Sequence, residues 1–100
     1  MERFKNKKCI VRSYGAGVFF GTVADILPNN VAVIENCRRI YYWSGAASLS
    51  QMATEGVKRP DECKFTVTVP QMMVTGILEI IPCSEDAVRN IENVPVWKQR

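Results

Sequence analysis

The sequence predicts an α+β domain, mostly β: a small curled antiparallel sheet or an SH3-like barrel carrying one amphipathic helix at about residues 46–55 and a short C-terminal helix. Three observations lead there. Short β-branched and aromatic runs recur along the chain, glycine, proline and asparagine punctuate them, and only two stretches place apolar residues at helical spacing. At 100 residues, 47% of them apolar, the chain is read as one domain spanning 1–100.

The elements follow in order. Lys8-Cys9-Ile10-Val11-Arg12-Ser13 reads as a first strand, and Gly15-Ala16-Gly17 turns the chain where positive φ is needed. Residues 18–27 form a second strand in which Gly21 marks a bulge or a close backbone approach. Pro28-Asn29-Asn30 is a turn by its chemistry, so Val31–Glu35 returns as the hairpin partner. Asn36-Cys37 kinks the chain before a further strand over 38–43. There Arg39, Tyr41 and Trp43 share one face, and Arg38, Ile40 and Tyr42 the other.

The next helix sets Ala46, Leu49, Met52 and Ala53 on one stripe, with Ser44 as N-cap and Gly56 as stop. Lys58–Glu62 is a loop. Residues 64–69 alternate as a strand that Pro70 ends, and 71–81 form another, interrupted near Thr75-Gly76. Ser84 caps a helix over about 85–91, whose early Glu85 and Asp86 suit its dipole, and Trp97 is expected to dock on the sheet.

Composition narrows the chemistry. There is no histidine, which removes the commonest general base, and no two carboxylates form a recognisable acid pair, so the chain is read as non-enzymatic. Cys9, Cys37, Cys63 and Cys83 are widely spaced without a C-x2-C pair. They read as buried free thiols rather than as metal ligands, with two disulfides open only to a secreted protein, and no cofactor or metal is expected. No apolar run approaches the roughly 20 residues of a membrane span, and the charged N-terminus does not read as a signal peptide; a cytoplasmic protein is expected. The net charge of +3 is concentrated in Arg3, Lys5, Lys7, Lys8 and Arg12, in Arg38 and Arg39, and in Lys58 and Arg59. It is too small an excess to favour nucleic acid as a partner.

The candidate site is the strand-to-helix junction. Backbone N–H groups at Ser44, Gly45 and Ala46, the hydroxyls of Ser44 and Ser48, the guanidinium of Arg39 and the rings of Tyr41 and Trp43 are the parts from which a site for a small anionic or nucleotide-like ligand is built. The same residues also describe a capped helix with buried aromatics. A third reading is a protein-interaction module, whose mark would be an exposed apolar surface centred on Tyr41, Tyr42 or Trp97 in place of a basic pocket. The alternation over Phe65–Val69 offers an edge for self-association.

The run Arg38–Gln51, with Glu55-Gly56-Val57, Ile80-Ile81-Pro82-Cys83 and Val96-Trp97, resembles a family of small proteins encoded by tailed phages and prophages, which brings no assigned activity. That resemblance implies a binding role in the host cell cytoplasm. One form of it is a homo-oligomer that sequesters a nucleotide-like defence signal; another is a module that inhibits a host protein or assembles with phage components.

Overall fold

A computed structural model describes residues 2–99, with the Glu2 side chain excepted. Its strands are β1 (Lys8–Ser13), β2 (Gly17–Leu27), β3 (Val31–Tyr42), β4 (Lys64–Val74) and β5 (Ile77–Pro82), and its helices are α1 (Leu49–Glu55) and α2 (Glu85–Glu92). The strands form an antiparallel sheet in the order β4-β3-β2-β1-β5, which is open because β4 and β5 lie at opposite edges. The fold is therefore α+β and mostly β, with two short helices, as the strand-rich sequence predicts.

The sheet buries both faces. Ile10, Phe20, Ile40 and Phe65 meet Met52 and Ala53 of α1 and Ala87 and Ile91 of α2 on the helical side. On the other side Cys9, Val11, Phe19, Val23, Ala32, Ile34 and Cys37 form a second cluster. Residues from both edge strands, Val69 and Met72 of β4 and Ile77 and Ile80 of β5, close over it. A flat sheet cannot bring its two edges to one cluster, so the curl is what buries this face. Side chains such as Phe19 and Ile34 are fully buried, each worth about 1.5–3 kcal/mol on removal from water.

Local chemistry explains the curl. Gly21 sits opposite the bulge in β3, where a Cβ would come within 2.6 Å of the Ile34 side chain and 2.9 Å of the Glu35 carbonyl. Asn36 takes a positive φ of 50° at that bulge. The two strands expected at 31–35 and 38–43 are consequently one 12-residue strand, because the bulge bends the ladder without breaking it. Pro70 likewise does not end its strand. β4 runs on to Val74, since an edge position can lack an N–H without losing a ladder bond. The interruption at Thr75-Gly76 is real: Gly76 adopts a φ of 67°, its carbonyl accepts the Tyr14 N–H at 2.8 Å, and the Ile77 N–H reaches the Asn30 carbonyl at 2.9 Å.

Helix α1 begins three residues later than expected, at Leu49. Its N-cap is Ser48, not Ser44. The Ser48 hydroxyl accepts the Gln51 N–H at 3.1 Å, while the Gln51 side-chain oxygen accepts the Ala47 N–H at 2.7 Å, so the serine and glutamine satisfy the helix start between them. Helix α2 is capped by Ser84 as read from the sequence; its hydroxyl also donates to the Thr54 carbonyl, tying the two helices.

Candidate functional site

The strand-to-helix junction is built as a packed turn. Trp43 is half-buried against the helical core and its Nε1–H donates to the Ala46 carbonyl at 3.2 Å. The Ser44 hydroxyl donates to the Glu62 carboxylate at 3.0 Å, and its N–H points at the Cys63 sulfur at 3.4 Å. Gly45 has a φ of 93°, and its carbonyl accepts the Lys58 N–H at 3.1 Å. A Cβ on Gly45 would fall 2.5 Å from the Lys58 nitrogen and 2.6 Å from that of Arg59, so the close approach glycine allows is taken by the chain itself. A carboxylate beside Ser44 also disfavours an anion there.

The candidate residues divide between the two sides of the sheet. Trp43 and Ala46 join the helical cluster. Arg39, by contrast, lies over the ring of its cross-strand neighbour Phe19, its guanidinium carbon 5.0 Å from the ring centre, on the face that α1 does not cover. Tyr41 is exposed there too. The expected alternation of Arg39, Tyr41 and Trp43 on one face fails at Trp43, because the strand ends at Tyr42 and the chain turns under the helix.

What gathers instead is an aromatic platform at the end of β3. Tyr41 and Trp97 stack with ring centres 5.2 Å apart and an interplanar angle of 11°. The Lys64 ammonium lies 5.4 Å from the centre of the Trp97 ring. Trp97 is held from behind: its N–H donates to the Phe65 carbonyl at 2.9 Å, and Val96 forms a parallel bridge with Phe65. The platform nevertheless faces solvent, with Tyr41 65% and Trp97 45% exposed. Trp97 docks on the sheet, as expected. Its stacking on Tyr41, 56 positions earlier in the chain, had no signal in the sequence.

Arg38 explains why the tail lies where it does. Its guanidinium is buried and donates to the carbonyls of Thr66 at 2.9 Å, Ile91 at 3.0 Å, Phe65 at 3.2 Å and Pro95 at 3.4 Å. Ile91 is in the last turn of α2, where the helix dipole is negative. Burial lowers the Arg38 pKa from its ordinary value, yet a guanidinium stays charged at neutral pH. One charge of the Arg38-Arg39 cluster is therefore an internal clamp.

Three cations of the N-terminal cluster face carboxylates. Lys5 faces Asp25 at 3.9 Å, Lys8 pairs with Glu92, and Arg12 pairs with Glu79 at 2.9 Å. The four cysteines are free, and burial pushes the pKa of Cys9 and Cys37 up to about 11 and that of Cys83 to about 12. Such thiols are poor nucleophiles at neutral pH. Among the described residues no group of three potential ligands stands together to hold a metal ion, and no helix is long and apolar enough to cross a membrane.

Among known proteins, a family model described as a domain of unknown function matches residues 6–91. That match takes in every strand and nearly all of α2, and stops short of Val96 and Trp97. No curated protein matches the chain.

Proposed function

Since the chain belongs to the DUF6948 family, whose name carries no activity, its own surface must supply the function, and we propose that it is a non-catalytic binding module that docks a partner protein on the Tyr41–Trp97 platform. The observation that carries this reading is a pair of stacked, solvent-facing aromatic rings, one of them on a tail bonded to β4. Aromatic side chains left exposed but held in place lose little entropy on binding and are common anchors of interfaces. Lys64 lies against the Trp97 ring and Lys98 follows it, both exposed, which favours a partner presenting an aliphatic anchor flanked by carboxylates. The raised thiol pKa values and the lack of histidine support a non-catalytic role. In the phage setting that the sequence resembles, the partner is a host protein or a phage assembly component in the host cytoplasm.

Selection of short random displayed peptides on the wild-type protein, with the Tyr41→Ser/Trp97→Ser double variant as counter-target, tests this. Apolar-acidic peptides that bind only the wild type are expected. Peptides that bind both proteins equally, or none enriched at all, would refute it. Self-association lost in the double variant would assign the platform to a second copy of the chain instead.

A second reading draws on the same rings. The sequestration of a nucleotide-like ligand loses its place at Ser44–Ala46, but the exposed rings of Tyr41 and Trp97 beside the Lys64 ammonium suit a base and its phosphate. Tryptophan quenching by mono-, di- or cyclic nucleotides, absent in Tyr41→Ser, is its signature. A flat titration for all three disposes of it.

A further inference from the structure

A second concave surface lies away from the platform, between the entry of β1 and the outer face of α2. Its floor is Pro82, Cys83 and Val88, and its rim is Lys7, Lys8, Glu85 and Arg89, around a cavity of about 360 Å³. That volume falls at the lower end of the range for small-molecule sites, which are mostly apolar with a few convergent polar groups.

The walls are fixed by the fold. The Cys83 N–H donates to the Lys8 carbonyl at 2.9 Å, and the Lys7 carbonyl accepts the Val23 N–H at 3.0 Å, so both sides of the cleft are anchored to the sheet. Glu85, Val88 and Arg89 stand at helical spacing on one face of α2. The Lys8 ammonium is tied to Glu92 and the Arg89 guanidinium to Asp86. Lys7 has no ion-pair partner among the described residues, and Glu85 has none either.

From this arrangement we propose that the cleft binds a small amphipathic monoanion, with an aromatic or acyl body on Pro82, Cys83 and Val88 and one carboxylate or sulfonate group against Lys7. The charge pattern sets the valence. Lys8 and Arg89 are already balanced by Glu92 and Asp86, leaving, among the described residues, the Lys7 ammonium to attract a head group and the Glu85 carboxylate to oppose a second negative charge. A dianionic phosphate ester is disfavoured on the same ground. The thiol of Cys83 contributes as an apolar surface, because it keeps its proton at neutral pH.

Anilinonaphthalene sulfonate, a fluorescent amphipathic monoanion, and its neutral relative phenylnaphthylamine are the probes. The wild-type protein should bind the sulfonate saturably, with fluorescence enhancement that octanoate reverses. Lys7→Glu, an exposed change, should weaken the sulfonate about fivefold at low salt and leave the neutral dye unaffected. Val88→Arg should abolish both signals by filling the floor, and Trp97→Ser should alter neither. Failure of the wild type to bind the sulfonate overturns the proposal, as does a Lys7→Glu protein that binds both dyes as the wild type does. Signals lost only with Trp97→Ser would place the dye on the platform and overturn it as well. The cleft and the platform share no residue, so either assignment can fail without the other.

Discussion

Arg38 shows how much one side chain decides. Four backbone carbonyls from β4, α2 and the C-terminal segment converge on its guanidinium, which has no carboxylate partner among the described residues. Removing it leaves buried acceptors unpaired, so Arg38→Met should cost about 2–4 kcal/mol in urea denaturation and free Trp97 from Tyr41, seen as a red shift in emission. A loss under about 0.5 kcal/mol would mean that water replaces the clamp. The sequence placed Arg38 on the opposite face from Arg39 but could not tell which arginine was internal, since that depends on carbonyls 27–57 positions away.

The cysteines give a pH dependence of definite sign. Their folded pKa values lie above the ordinary value of 9.0, at about 11 for Cys9 and Cys37 and about 12 for Cys83. The unfolded chain therefore releases thiol protons at a lower pH than the folded one. Stability from keeping these thiols neutral is complete below about pH 9 and declines as pH rises through the folded values near 11 to 12. Denaturation midpoints taken from pH 8 upward should fall, and Cys37→Ala should lessen the slope in that alkaline range. An unchanged slope would mean that the buried thiols are not its source.

At the scale of elements, helix starts and strand bends follow from short-range chemistry wherever the correct signal is weighed. Ser44 and Ser48 both precede Leu49, but only Ser48 has a glutamine three residues on, whose N–H the Ser48 hydroxyl accepts and whose side-chain oxygen reaches back to the Ala47 N–H, and these two bonds fix the cap. Ser48→Ala should thus lower stability by about 1 kcal/mol, whereas Ser44→Ala, which loses one exposed bond to Glu62, should change it by less than about 0.5 kcal/mol. Equal effects in thermal denaturation would return the cap to Ser44. Gly21, Asn36 and Thr75-Gly76 were legible as irregularities because glycine and asparagine tolerate backbone that other residues resist. Whether such a point ends a strand or only bends it depends on its neighbours. That is why β3 runs through Asn36 and β4 through Pro70.

For the whole molecule, the open order β4-β3-β2-β1-β5 leaves two edges that invite further pairing. The tail already occupies β4 at Phe65 through Val96, and Pro70 withholds a donor farther along the same strand. Pro70→Thr should restore that donor and raise the apparent mass in light scattering at high concentration. A mass unchanged from the wild type would show that the curl alone protects the edge.

The sequence by itself determined the α+β class, most strand positions, the hairpin at Pro28-Asn29-Asn30 and the cap at Ser84, because turn chemistry and β-propensity act within a few residues. Only the tertiary structure decided that Arg38 lies inside, that Gly45 is filled by Lys58 and Arg59, and that Tyr41 meets Trp97. The partners of Arg38 lie 27–57 positions away, those of Gly45 13 and 14 and that of Tyr41 56, beyond the reach of the local turn chemistry and β-propensity that the sequence displays.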